Sequence, residues 1–310
     1  MSGSVDLSLL PPSGPEEPPV VAELVARPLD STPRRSRVWT VFVAVLAALV
    51  AIVIAQVAAM VVLVAWHLAE GATPGDLQER LLDTVTQPGM FIALGLVGQL
   101  TLLTTALAAG WLSPQPLAQR LGLVRPALSA ASSGVLIVGV VVPFAVGISL
   151  AYALAEVIEP DLSVKALYEK MTPGMALPFL LFISLAPGFS EELLFRGYMQ
   201  RRLLERWNAS AAILVTSLIF ALFHITPHAV VFALPVGIWL GLMAWKSRSV
   251  WPGIVCHALI NGMWNIWQLG VRFDYFPPRP PVGLLVGLGI VGVAAFAASL
   301  WLIFRRPQEA

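Results

Sequence analysis

Long apolar stretches alternate with short polar segments along most of this chain. A helix that crosses a bilayer needs about 20 consecutive apolar residues. Eight stretches reach or approach that length: residues 38–67, 91–112, 132–156, 175–195, 209–226, 229–245, 250–270 and 283–304. The fifth and sixth are the shortest, and the pattern also allows them to form a re-entrant pair. The pattern therefore predicts an all-α, polytopic membrane bundle of about eight helices.

The composition agrees with that fold class. Of the 310 residues, 57% are hydrophobic and only 12% are charged, which excludes an ordinary soluble domain. We expect the lipid bilayer, and no nucleic acid, as a partner. The first 37 residues contain seven prolines and no apolar signal-peptide core. We therefore predict a disordered cytoplasmic tail at 1–37 and a transmembrane domain at 38–306.

The basic residues are divided unevenly between alternate loops. One side of the eight-helix arrangement holds twelve of them: Arg34, Arg35, Arg37, Arg120, Arg125, Arg201, Arg202, Arg206, Lys246, Arg248, Arg305 and Arg306. The opposite loops hold five: Arg80, Lys165, Lys170, Arg272 and Arg279. Because Lys and Arg are enriched in cytoplasmic loops, this bias predicts an even number of spans and two cytoplasmic termini. Abundant Ala, Val and Gly favour a bacterial inner membrane.

Three charges interrupt the fourth apolar stretch, in the segment GFSEELLFRGYMQ at 188–200. On a helix, Glu192 lies four residues before Arg196, which is the favourable order for an ion pair. Glu191 points about 100° away and has no such partner, so it is the carboxylate expected to react. Pro187 predicts a bend just upstream, with a new helix N-terminus near the carboxylates. The alternative is that all three charges are interfacial anchors.

Polar residues recur on two later apolar helices. His224 follows Phe220 by four residues, so the two share a helix face. His257, Asn261 and Asn265 form a polar stripe on the seventh stretch. Such a stripe can also serve only for interhelical hydrogen bonding. Intramembrane ionisable residues are costly and point to function.

Together these residues supply the groups needed to hydrolyse an amide. A glutamate and a histidine can deprotonate water, while a histidine and an asparagine donate hydrogen bonds to an oxyanion. Alternatively, two imidazoles and a carboxylate can bind zinc and leave one position for water. His228 lies four residues after His224, but Pro227 separates them, and the glutamate of the zinc-protease helix is absent. We interpret His228 as an interface residue.

The motifs E-E-x-x-x-R, F-x-x-x-H and H-x-x-x-N, in this order on predicted spans, resemble the CPBP family. This is the CAAX prenyl protease and bacteriocin-processing group, also called Abi proteins. The resemblance covers about residues 175–270, which we take as the catalytic core, and implies an intramembrane protease acting on a membrane-associated or lipidated peptide or protein.

By position, the resemblance implies that Glu191 activates water with help from His224. It also implies that His257 and Asn261 stabilise the oxyanion, or that Glu191, His224 and His257 ligate zinc as in a metalloprotease. Glu192 and Arg196 would hold Glu191 in place, with Phe220 in support.

Two other function classes compete with the protease hypothesis. Some members of the family are associated with bacteriocin immunity, so a non-catalytic immunity or scaffold protein of the same fold is the alternative. A transporter with a proton relay through Glu191 and His224 is a further alternative. The chain shows no paired halves of the kind that many transporters have, which argues against transport.

Overall fold

A computed structural model of the protein describes residues 37–159 and 163–305, so the predicted tail, apart from Arg37, lies outside the described residues. Within these ranges the chain is helical and contains no strand. The α-helices are α1 (Trp39–Ala69), α2 (Leu77–Val85), α3 (Pro88–Trp111), α4 (Leu117–Arg120), α5 (Ala130–Gly139), α6 (Val141–Ala155), α7 (Ser163–Glu169), α8 (Pro173–Glu192), α9 (Arg201–Leu204), α10 (Ala209–Leu222), α11 (Pro227–Ser247), α12 (Trp251–Arg272) and α13 (Val282–Phe304). A π-helix, π1 (Leu193–Gln200), joins α8 to α9. The all-α prediction is confirmed.

In the part of the chain that the structure describes, six helical segments are long and apolar enough to cross a membrane: 39–69, 88–111, 130–155, 173–204, 227–247 and 282–304. Helices also occupy the other two predicted stretches, but each falls short for a different reason. α10 has 14 residues, which at 1.5 Å per residue is about 21 Å, against about 30 Å for the bilayer core. α12 has 22 residues but carries the polar stripe on one face. The count of eight spans stays a prediction.

The basic loops predicted to share one side lie at the same end of the bundle. Arg120 Nη1 pairs with Glu205 at 2.5 Å, and Arg201 Nη1 donates to the Arg248 carbonyl at 3.0 Å. Lys246 Nζ donates to the Ile303 carbonyl at 2.9 Å, which brings the end of α13 to this end. These contacts group the alternate loops as the charge pattern predicted.

The remaining loops lie at the opposite end. Lys170 Nζ pairs with Asp83 at 2.8 Å, and Arg272 Nε donates to the Tyr168 carbonyl at 3.0 Å. Hydrogen bonding to Lys170 lowers the pKa of Asp83, with a further contribution from the charge of Lys170. Which end faces the cytoplasm stays a prediction.

Two proline residues lie inside α8, yet the helix continues through both. The expected helix N-terminus after Pro187 was wrong, since α8 runs to Glu192 without interruption. The backbone changes at Leu193, where the π-helix begins. Neighbouring helices approach closely here: a Cβ on Gly188 would lie 3.1 Å from the Ala258 nitrogen of α12. A methyl group on Gly188 would therefore press against the backbone of α12.

Candidate active site

Glu192 and Arg196 form a fully buried ion pair at the end of α8. The distance from Arg196 Nη1 to Glu192 Oε1 is 2.8 Å, and neither side chain is exposed. The ion pair predicted from the spacing is therefore present. Because both side chains are buried, these two residues are not interfacial anchors. A buried pair of this kind is costly to desolvate, so further partners are required to satisfy its remaining atoms.

Arg196 finds some of those partners on α11 and α10, whereas its Nε and Glu192 Oε2 have no hydrogen-bond partner among the described residues. Its Nη2 donates to the Gly237 carbonyl at 3.0 Å. The guanidinium carbon lies 4.1 Å from the centre of the Phe220 ring, a cation–π contact inside the bundle. A Cβ on Gly237 would lie 3.0 Å from that ring. The lack of a side chain at Gly237 therefore allows Phe220 to pack closely against α11.

His257 connects the two glutamates. Its Nδ1 lies 3.1 Å from Glu192 Oε1, and its Nε2 lies 3.9 Å from Glu191 Oε2. Since an ionised carboxylate can only accept a hydrogen bond, Nδ1 carries a hydrogen and donates it to Glu192. The second ring nitrogen is then directed to the side of Glu191, so the histidine is oriented by one carboxylate toward the other.

Glu191 is held by a residue that sequence reasoning missed. Gln99 of α3 donates from Nε2 to Glu191 Oε1 at 3.0 Å. The Oε1 of Gln99 accepts a short hydrogen bond from Ser190, the residue before Glu191. Gln99 is an amide inside an apolar helix, and the cost of such a group in a membrane was the signal that could have identified it. The contact leaves Glu191 Oε2 as the oxygen facing His257.

The π-helix begins directly after the two glutamates, and all eight of its residues are buried. Short π-helical segments within α-helices are frequently found at functional sites. Arg196 lies within this segment and reaches back to Glu192 in the last turn of α8. The irregular backbone therefore coincides with the ion pair that supports the site.

His224 makes no hydrogen bond to Glu191, and its predicted help in activating water stays a prediction. Its Nδ1 donates instead to the Phe220 carbonyl at 3.1 Å. The rings of His224 and His257 both pack against Phe220, with centroid distances of 5.1 and 5.9 Å. α10 ends at Leu222, and the His224 side chain turns back on the last turn of that helix. Phe220 is thus the common neighbour of Arg196 and both histidines.

Asn261 and Asn265 of the α12 polar stripe make hydrogen bonds to α8 and α7. Asn261 Nδ2 donates to the Ile183 carbonyl at 3.1 Å, which ties α12 to α8. Asn265 accepts a hydrogen bond from the hydroxyl of Tyr168. Burial raises the pKa of Tyr168, so its hydroxyl stays protonated and able to donate. Interhelical hydrogen bonding therefore accounts for Asn265, and for one of the two amide hydrogens of Asn261.

His228 lines a different part of the molecule from the glutamates. It borders an apolar cavity of about 420 Å³ between α6, α11 and α12, and Asn261 borders the same cavity. The Nε2 of His228 is buried and has no hydrogen-bond partner among the described residues. The structure gives no ligating role to this histidine.

The described side chains do not form a preorganised zinc site. No group of three His, Cys, Asp or Glu residues in 37–159 and 163–305 is arranged to hold a metal ion. A catalytic zinc needs three protein ligands. Among the described residues, Glu191 Oε2 and His257 Nε2 face each other at 3.9 Å and lack a third such atom.

Comparison with known proteins identifies the segment that contains these residues. Residues 173–263 match the family model described as type II CAAX prenyl endopeptidase Rce1-like. No curated protein and no solved structure matches the chain. The matched segment contains all seven motif positions: Glu191, Glu192, Arg196, Phe220, His224, His257 and Asn261. The apolar helices and the match over residues 173–263 indicate an integral, multi-pass membrane protein, and that segment is similar to the type II CAAX prenyl endopeptidase Rce1-like family.

Proposed function

We propose that this protein is an intramembrane endopeptidase that hydrolyses a peptide bond in a membrane-associated or lipidated protein. The observation that carries the proposal is the position of Glu191. One of its oxygens is held by Gln99, and the other faces His257 at 3.9 Å. The side chain is 13% exposed, whereas Glu192 is fully buried. Glu191 is therefore the carboxylate that water can reach.

In the first step, Glu191 Oε2 accepts a proton from a water molecule, and the water oxygen attacks the carbonyl carbon of the peptide bond. A general base in this position typically contributes about 10²–10⁴ to the rate. The hydrogen bond from Gln99 fixes the carboxylate, so less orientational freedom is lost when the water and the substrate are in place.

The oxyanion that forms is stabilised by His257. When both ring nitrogens carry a hydrogen, Nδ1 donates to Glu192 and Nε2 donates to the oxyanion. With His257 as an imidazolium, the net charge of the cluster is zero, which lowers the cost of its burial. The cluster consists of Glu191, Glu192, Arg196 and His257. Asn261 retains one amide hydrogen, because it uses only one toward Ile183. We assign that hydrogen to the same oxyanion.

In the second step, the C–N bond breaks and Glu191 returns its proton to the leaving nitrogen, which yields an amine and a carboxylic acid. His224 has one ring nitrogen occupied by the Phe220 carbonyl. Its Nε2 has no hydrogen-bond partner among the described residues, and we assign it to the bound substrate or water. No step is routed through a metal, since the described residues provide two facing donors and not three.

The test is tripeptide release from a farnesylated peptide that ends in a CAAX sequence, measured by mass spectrometry with the purified full-length protein. We expect cleavage by the wild type and a loss of at least about 100-fold in Glu191→Gln. Glu79→Gln, at an exposed glutamate far from the site, is the matched control and should cleave normally.

A comparison of protein termini extends the test beyond one peptide. Membranes that carry wild type or Glu191→Gln at equal abundance should differ in their set of termini, and new termini found only with wild type identify the substrate. Identical termini, together with an uncleaved peptide and a folded variant, would overturn the protease proposal in favour of the immunity or scaffold alternative.

A further inference from the structure

A second cavity, lined by polar and charged residues, lies at the basic end of the bundle. It has a volume of about 420 Å³ and lies where π1, α9, α11 and the loop before α12 meet. Four arginines and one glutamate contribute to its wall: Arg120, Arg196, Arg201, Arg248 and Glu205. Neither Glu191 nor a histidine borders it, and Arg196 is the one described residue of the candidate active site that reaches its wall.

Two of these arginines have their charge balanced within the structure. Arg120 pairs with Glu205 at 2.5 Å, and Arg196 pairs with Glu192 at 2.8 Å. No carboxylate among residues 37–159 and 163–305 lies within 4 Å of the Arg201 or Arg248 guanidinium group. With Glu192, which lies behind the wall and balances Arg196, the described charges around the cavity leave an excess of two positive charges.

Arg248 occupies a backbone conformation that favours glycine. It follows the last residue of α11 in the left-handed region, with φ of 54° and ψ of 24°. Glycine is the usual residue here, because a side chain is strained in this conformation. A cation near a helix C-terminus is stabilising, but by less than the left-handed conformation costs. The strained arginine therefore points to a use for its side chain beyond helix capping.

Arg201 supports that conformation directly. Its Nη1 donates to the Arg248 carbonyl at 3.0 Å, so one guanidinium group and the strained backbone are held together across two helices. The remaining nitrogens of Arg201 and the whole guanidinium group of Arg248 are available as paired donors. Arginine forks of this kind match the oxygens of a phosphate group.

The position of the cavity indicates where such a phosphate comes from. The cavity lies at the ends of membrane-spanning helices, and Trp245 near the end of α11 contributes to its wall. Tryptophan is enriched at the level of lipid headgroups, where its ring is apolar and its N–H is polar. A phosphate bound here is therefore at headgroup depth.

We propose that this cavity is a binding site for the phosphate of an anionic phospholipid headgroup, bound by Arg201 and Arg248. The assignment is independent of the proposed peptidase reaction, because it involves different residues and is measured by lipid binding and not by cleavage. In this proposal, the basic residues at this end of the bundle form a binding site in addition to setting the membrane topology.

The test is native mass spectrometry of the full-length protein, titrated with phosphatidylglycerol or with phosphatidylcholine of the same acyl chains. We expect wild type to bind phosphatidylglycerol about tenfold more tightly, because both lipids carry a phosphate but the quaternary ammonium of phosphatidylcholine is repelled by the excess positive charge. The double variant Arg201→Gln/Arg248→Gln should lose this preference. Equal binding of the two lipids by wild type would overturn the proposal.

The matched control removes two charges from the same end but outside the cavity. Arg125 and Arg206 are exposed and do not border it. Arg125→Gln/Arg206→Gln should keep the preference for phosphatidylglycerol, and an equal loss in both double variants would show a nonspecific surface effect and overturn the site. Competition with inorganic phosphate distinguishes a lipid headgroup from a free anion as the ligand of this cavity. Complete displacement of the lipid by millimolar phosphate would assign the cavity to a soluble anion and overturn the lipid assignment.

Arg248→Gly keeps the test decisive if the double variant folds poorly. Glycine adopts the left-handed conformation without strain, so the variant should unfold at or above the wild-type temperature in phosphatidylcholine. The preference for phosphatidylglycerol should fall at the same time. A folded Arg248→Gly protein with an undiminished preference would contradict the proposal.

Discussion

Replacement of Arg196 by methionine should strongly destabilise the protein. The substitution keeps much of the side-chain volume but leaves the Glu192 carboxylate buried without its charged partner. It also removes the hydrogen bond to the Gly237 carbonyl and the contact with the Phe220 ring. Loss of one member of a buried ion pair typically costs about 3–5 kcal/mol. Because both side chains are fully buried, we expect a loss in that range for Arg196→Met.

The chain contains a matched control for this prediction. Arg80 and Asp76 have the same i, i+4 separation and the same 2.8 Å distance between charged atoms, but they are 42% and 37% exposed. Ion pairs in this environment contribute little, because water already solvates both charges. Arg80→Met should therefore leave the free energy of unfolding almost unchanged, although its contact distance equals that of the buried pair.

The measurement is unfolding in mixed micelles, with wild type, Arg196→Met, Glu192→Gln and the double variant compared as a mutant cycle. The double variant should be more stable than the sum of the single losses predicts, by about 2 kcal/mol or more, because neither partner is left charged and alone. Additive losses, or an Arg196→Met loss no larger than that of Arg80→Met, would refute the reasoning that burial makes this pair important.

Three further predictions concern the site. Gln99→Leu should lower the turnover of the farnesylated peptide about 10- to 100-fold by releasing Glu191, and an unchanged turnover would remove Gln99 from the site. Gly253→Ala should displace the Glu192 carboxylate, since the new Cβ would lie 2.9 Å from its Oε2, and should lower both activity and the unfolding temperature. Gly174→Ala, which meets no atom within 4 Å, is its control and should change neither. Activity should survive exhaustive metal chelation, and loss of activity that added zinc restores would contradict the metal-free mechanism.

Local periodicity explains what could be predicted about the site. The ion pair of Glu192 and Arg196 depends on two residues one turn apart on one helix, so their spacing was sufficient to predict it. The stripe of His257, Asn261 and Asn265 was predicted in the same way, because residues four apart share a helix face. In both cases the relevant geometry is contained in a single helix.

Contacts between helices could not be predicted in this way. Gln99 precedes Glu191 by 92 residues, and the rotation of α3 about its axis decides whether its amide reaches the site. The same limit explains the missing contact between His224 and Glu191. Spacing placed His224 on the Phe220 face of α10, but the end of that helix turned the side chain back to its own backbone.

The sequence by itself determined the all-α membrane fold, the grouping of loops at two ends and the identity of the charged motif residues. These follow from hydrophobic length, charge distribution and helical spacing, which are properties of the chain read in order. Only the tertiary structure decided that His257 links both glutamates, that Phe220 joins Arg196 to two histidines, and that Arg201 and Arg248 border one cavity. Each of these depends on the relative rotation, depth and close approach of helices distant in sequence, which packing of the whole bundle sets.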